Sequence, residues 1–83
     1  MYKKFVERMA ERAVGEYFNV TVYRGEFKYS SYTDFVEFKI KAYGEKLTEY
    51  EGFIGTYGQV VVTHVVTQID GDKLSKEEYI TVN

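Results

Sequence analysis

The alternation of apolar and polar residues between positions 34 and 43 constrains the fold of this chain more than any other feature. One set is Asp34, Val36, Phe38, Ile40 and Ala42. The other set, between them, is Phe35, Glu37, Lys39, Lys41 and Tyr43. Period two is typical of a β-strand with one face buried and the other in water. The sequence therefore predicts a strand of an antiparallel sheet that is covered on one face.

A segment near the start has the periodicity of a helix that packs on such a sheet. Its apolar residues recur at spacings of one, three and four: Phe5, Val6, Met9, Ala10, Ala13 and Val14. This spacing places them in one stripe of a helix. Gly15 is a typical helix stop, so we predict a helix over residues 2–15.

The rest of the chain predicts strands joined by short turns. The strands are expected over residues 17–29, 34–43, 46–54, 59–70 and 79–82, with a bulge or bend at Gly25 in the first. Turns are expected at Ser30–Ser31, Gly44–Glu45, 55–58 and 70–72, and one helical turn at Ser75–Glu78. A helix followed by a meander predicts an α+β fold: one domain, 1–83, with an N-terminal helix packed across a four- or five-stranded antiparallel sheet.

Composition favours binding over catalysis. The chain has nine tyrosines and six phenylalanines, one histidine, and no cysteine, proline or tryptophan. Catalytic and metal sites draw mainly on His, Cys and clustered carboxylates, whereas tyrosine is enriched in protein interfaces. We therefore expect a non-enzymatic binding domain without a cofactor or a metal.

The predicted fourth strand is apolar on both faces. Val60, Val62 and Val66 alternate with Val61, Val65 and Ile69. One helix covers only part of a five-stranded sheet, so either curvature and side-chain stems cover the remaining apolar residues or a partner does. The second alternative predicts a homodimer through the strand around Val60–Ile69, or a protein partner. Its binding residues would be Tyr17, Tyr23, Phe35, Tyr43, Tyr50, Phe53 and Tyr57.

Charged residues offer weaker alternatives. A net charge of −2 with interspersed signs argues against nucleic acid. Aromatic rings beside Arg24, Lys28, Lys39 and Lys41 still leave single-stranded nucleic-acid binding as an alternative function. His64 and the set Glu45, Glu49 and Glu51 are interpreted as structural or solvated, and any further role for them stays open.

One short segment resembles a known family. Gln59-Val60-Val61-Val62-Thr63 is similar to the Q-x-V-x-G hairpin of the cystatin protease inhibitors, and the order of helix and meander is similar too. Thr63 replaces the last glycine, and the family's Pro-Trp hairpin is absent, so no site residue is transferred. The resemblance implies a protease-inhibitor-like domain as a second alternative.

Location and source follow from weaker signals. The first residues lack the apolar stretch of a signal peptide, and no segment has the length of a membrane span. We expect a cytoplasmic protein that does not bind a membrane. Small, mildly acidic, tyrosine-rich domains are common among virus- and phage-encoded inhibitors of host machinery. Inhibition of a host protein complex, in the host cytoplasm, is therefore the more specific hypothesis.

Overall fold

The computed structural model describes residues 2–30 and 36–83, and it confirms the predicted α+β layout. Its elements are α1 (Tyr2–Phe18), β1 (Thr21–Tyr29), β2 (Val36–Tyr43), β3 (Leu47–Ile54), β4 (Val60–Ile69) and β5 (Asp72–Thr81). Every strand pairs antiparallel with the next, so the sheet has the order β1-β2-β3-β4-β5. The helix packs on one face of this sheet, mainly against β1 and β2.

The core lies between α1 and the sheet. Its buried apolar residues are Ala10, Ala13, Val14, Phe38, Ile40, Ala42, Tyr50, Ile54, Val60, Val62 and Val82. The alternation on β2 is confirmed, because Phe38, Ile40 and Ala42 are buried and the residues between them are more exposed. Complete burial of each large aliphatic side chain in this core stabilises the fold by about 1.5–3 kcal/mol.

The helix continues beyond the predicted stop at Gly15 and ends at Phe18. Asn19 follows in the left-handed conformation, with φ 55°. The amide of Val20 donates to the Gly15 carbonyl at 3.0 Å, which closes the helix end. Tyr17 therefore belongs to the last helical turn, and the prediction that placed it on the first strand was wrong. No helix among the described residues is long and apolar enough to cross a bilayer.

The helix is joined to β1 by polar contacts. The Tyr29 hydroxyl donates to a Glu7 carboxylate oxygen at 2.6 Å, and the Lys3 ammonium lies 4.8 Å from the centre of the Tyr29 ring. Glu11 lies over Gly25, where a Cβ atom would overlap its carboxylate. A side chain at position 25 would therefore have to displace the Glu11 carboxylate. The bulge that was predicted there lies two residues earlier, at Tyr23.

A bulge in β4 changes which valines face the helix. Glu51 pairs with His64, whereas Gly52 pairs with Val62, so Thr63 is the extra residue. After this shift Val65 pairs with Tyr50 and packs against the core. The prediction that grouped Val66 with Val60 and Val62 was wrong, because a one-residue bulge reverses the alternation.

The last strand is longer than predicted. Asp70 and Gly71 both have positive φ, 50° and 86°, which is the two-residue hairpin turn that matches strand twist. Ile69 pairs with Asp72 directly after this turn. The helical turn predicted at Ser75–Glu78 is therefore wrong, because the segment belongs to β5 and its first three residues pair with β4.

Candidate partner-binding surface

The sheet face opposite α1 is mainly charged. One row across all five strands contains, in register, Glu26, Lys39, Glu51, His64 and Glu77. Directly opposed residues of antiparallel strands share a face, and opposite charges in such pairs each stabilise a sheet by about 0.2–1 kcal/mol. We call this surface the charged face. This row does not need a covering layer.

An aromatic pair interrupts the charged face at one corner. Tyr23 on β1 is 61% exposed and Tyr43 at the end of β2 is 50% exposed. Their ring centroids lie 5.5 Å apart at an interplanar angle of 65°. This edge-to-face geometry is favourable for aromatic rings. We call these two residues the tyrosine corner.

The β1 bulge positions the corner. Val22 pairs with Ala42 and Arg24 pairs with Lys41, so Tyr23 has no residue directly opposite it. Its ring lies against Tyr43 instead. Arg24 contacts Glu26 at 3.3 Å on the same strand. The corner therefore combines two preorganised rings with neighbouring polar groups, as interface anchors do.

Two other predicted binding residues lie on the opposite side of the sheet. Tyr50 is only 5% exposed and stacks on Phe18 with a centroid separation of 4.4 Å. Burial raises the pKa of its hydroxyl. Tyr17 packs edge-on against Phe18 and is partly exposed at the helix end. Tyr50 is thus a core residue, and Tyr17 belongs to the helix layer.

The remaining predicted residues also lie away from the corner. Tyr57 is 93% exposed in the turn between β3 and β4, and Phe53 is half-buried near the end of β3. This end is separated from Tyr43 by the length of β2, which is roughly 23 Å at ~3.3 Å per residue. Phe35 lies outside the described residues. The seven predicted residues therefore do not form one surface.

His64 lies within the charged row. Its Nε2 is 4.0 Å from a Glu77 carboxylate oxygen, and its Nδ1 is 3.2 Å from the Thr63 hydroxyl. Glu51 is opposed to it on β3. Within the described ranges, no three His, Cys, Asp or Glu side chains group as metal ligands. A partly exposed histidine beside carboxylates fits a polar contact in a solvated row.

The basic residues of the charged face do not form a separate stripe. Lys39 is opposed by Glu26 and Glu51. Lys41 is opposed by Glu49 on β3 and by Arg24 on β1, and Arg24 is paired with Glu26. Carboxylates that alternate with cations reduce the positive potential that phosphate backbones require. The same pairing accounts for the predicted acidic set, since its β3 members are opposed by lysines.

Sequence reasoning missed exposed apolar residues outside the sheet face. Phe5 was assigned to the buried helix stripe, but it is 66% exposed. At 3.6 residues per turn it points about 140° away from Ala10, so a helical projection could have found it. Leu74 and Tyr79 on β5 are also exposed. Leu74 was not singled out because it precedes the predicted start of that strand at Tyr79.

Comparison with protein-family models, with curated proteins and with solved structures finds no match to this chain. The resemblance to cystatins concerns a segment that lies mostly in β4, between β3 and β5. Val60, Val61 and Val62 all pair with β3 there, so this segment is not a projecting hairpin tip.

Proposed function

We propose that this protein is a non-enzymatic domain that binds a protein partner through the tyrosine corner. The observation that carries the proposal is the contact between two half-exposed tyrosine rings on a face that is mainly charged. Tyr23 and Tyr43 offer apolar area with a hydroxyl at its edge and only two side-chain torsions each to immobilise.

The surroundings of the corner support a protein partner over the alternatives. The mixed charges beside it suit the polar rim of an interface. A polyanion would meet Glu26, Glu49 and Glu51 on the same face, and the chain has a net charge of −2. For catalysis, the only histidine stands among carboxylates and a threonine without a nucleophile such as cysteine.

The more specific form of the proposal is a virus- or phage-encoded inhibitor that acts on a host protein complex in the cytoplasm. Its support is compositional: a small, tyrosine-rich chain without cysteine suits a reducing compartment.

A homodimer is a second form of the proposal. Through the strand around Val60–Ile69 it would use a sheet face, because β4 is hydrogen-bonded to a strand on both sides. Light scattering at high micromolar concentration tests the homodimer.

The test of the main proposal is affinity capture with matched tyrosine variants. The immobilised domain is exposed to a lysate of its source cells or of their host, as wild type, as Tyr23→Ser/Tyr43→Ser and as Tyr79→Ser. Tyr79 is 72% exposed and lies on β5, so it is a control of the same chemistry. Circular dichroism verifies that all three are folded.

We expect a stoichiometric protein partner with the wild type and with Tyr79→Ser. The corner variant should bind at least roughly thirtyfold more weakly, as the loss of interface anchors of about 2 kcal/mol implies. Equal capture by all three proteins would contradict the proposal. A catalytic role would instead require turnover that His64→Ala abolishes in the folded protein.

A further inference from the structure

The outer surface of α1 separates its charges in a way that the sequence does not reveal. Glu7 accepts the hydrogen bond from Tyr29, and Glu11 lies over Gly25, so both carboxylates point toward β1. Lys3 is also on that side, against the Tyr29 ring. The exposed cations Lys4, Arg8 and Arg12 remain on the outer surface.

These three cations form a row with an apolar row beside it. Positions 4, 8 and 12 follow one another at i, i+4 and i+8, which spans about 12 Å of helix. Phe5 and Met9 repeat the same spacing, and all five side chains line one shallow hollow. We call these five residues the basic ridge.

The basic ridge is only partly neutralised by the fold, since the positive charge of Arg8 acts on the Glu11 carboxylate and counteracts the rise in its pKa. Among the described residues, neither Lys4 nor Arg8 has a carboxylate within ion-pair distance, and Arg12 meets Glu16 only at 4.0 Å with both side chains exposed. Such an exposed pair contributes little. The ridge is therefore positive on a protein whose net charge is −2.

We propose that the basic ridge binds an acidic amphipathic helix of a protein partner. Carboxylates one turn apart in that helix would face the three cations, and an apolar side chain beside them would enter the hollow at Phe5 and Met9. Recognition of an amphipathic helix uses anchors at this spacing, and methionine adapts to the shape of its contact. Charge complementarity makes the encounter fast and selective.

Other anionic partners fit the ridge less well. A nucleic-acid base can stack on Phe5, but the net negative charge of the chain opposes the binding of a phosphate backbone. Stable membrane binding needs a large apolar face or two lipid-directed signals. Here the main apolar stripe of the helix, with Ala10 and Val14 at its centre, is buried against the sheet.

The experiment is an NMR titration of the full chain with a synthetic helical peptide that carries glutamates four residues apart and leucines beside them. A scrambled peptide of equal composition, anionic phosphatidylserine vesicles and a single-stranded oligonucleotide are the comparison probes. We expect shift changes confined to residues 4–12, with an affinity that falls as salt rises. The scrambled peptide should bind more weakly.

Matched variants identify the surface. Arg8→Glu/Arg12→Glu should weaken peptide binding by on the order of tenfold or more. Lys46→Glu/Lys73→Glu makes the same change in net charge on exposed lysines away from the ridge and should leave binding nearly unchanged. Phe5→Ser should weaken binding at all salt concentrations.

Equal binding of both peptides, shift changes elsewhere, or ridge binding by vesicles or oligonucleotide in preference to the peptide would each overturn the proposal. The ridge lies on the helix and the tyrosine corner lies on the opposite face of the sheet. Tyr23→Ser/Tyr43→Ser should therefore still bind the peptide, and either proposal can fail without the other.

Discussion

Neighbouring residues of β2 show how the two faces of the sheet differ in their exposure to solvent. Phe38, Ile40 and Ala42 are buried under α1, whereas Lys39 and Lys41 between them lie on the charged face. One face is protected by a second layer, and the other is protected by opposed charges that keep it hydrated. The comparison teaches that the helix buries the centre of one sheet face and that opposed charges keep much of the other face hydrated, while apolar residues outside both arrangements, such as Leu74 on β5, stay exposed.

Alanine substitutions of Tyr50 and Tyr43 should differ most in their effect on the free energy of unfolding, because these two tyrosines lie on opposite faces of the sheet. Tyr50→Ala removes a ring stacked on Phe18 and should lower the free energy of unfolding by about 3–5 kcal/mol. Tyr43→Ala should lower it by about 1 kcal/mol or less, since its ring is half exposed. Urea unfolding followed by circular dichroism measures both. Similar losses would contradict the assignment of faces.

Gly52 tests the bulge that sets the faces of β4. A Cβ atom at this position would overlap the Val61 carbonyl oxygen and crowd the Phe38 ring. Because the obstruction includes backbone, Gly52→Ala should destabilise the protein by about 1–3 kcal/mol. Gly15→Ala, whose Cβ would lie 3.3 Å from the Val20 carbonyl oxygen, is the milder comparison. Equal melting temperatures for both variants would argue against the close approach at Gly52.

Tyr29 should give a smaller, pH-dependent effect. Partial desolvation, the hydrogen bond to Glu7 and the negative charge of Glu7 raise the pKa of Tyr29 to about 12. The fold favours the neutral phenol, so its contribution is present below about pH 10 and is lost as pH rises toward 12. Tyr29→Phe should therefore cost about 1 kcal/mol at neutral pH and almost nothing near pH 12. Urea unfolding across this range measures the difference, and a constant difference would contradict it.

Substitution of Glu11 should give the smallest change in the free energy of unfolding, and it should stabilise the protein where the Tyr29 substitution destabilises it. Desolvation beside the sheet raises the pKa of Glu11, Glu7 raises it further, and Arg8 opposes the rise. The folded state therefore favours the protonated carboxyl, and stability from this group is lost as pH rises through its folded pKa. Glu11→Gln should stabilise the protein at pH 7, by less than about 1 kcal/mol because solvent screens the group. A gain that persisted below pH 4 would contradict this origin.

The comparison of the faces also explains what the sequence could and could not predict. The helix, the meander and the buried set on β2 follow from periodicity and are confirmed. The position of Tyr50 was recoverable, because Glu49 and Glu51 on the same strand mark the outer face. The bulges at Tyr23 and Thr63 could not be predicted from the sequence, because an extra residue is defined only by the register of the neighbouring strand. The bulge at Tyr23 decides where the tyrosine corner forms.

The central claim is that the tyrosine corner is the part of the charged face that a partner covers. Nitration of tyrosines in the free protein and in the captured complex, followed by mass spectrometry of each site, tests it most directly. We expect Tyr23 and Tyr43 to react in the free protein and to be protected in the complex, while Tyr79 stays reactive and Tyr50 is protected in both. A complex in which Tyr23 and Tyr43 remain fully reactive would contradict the account.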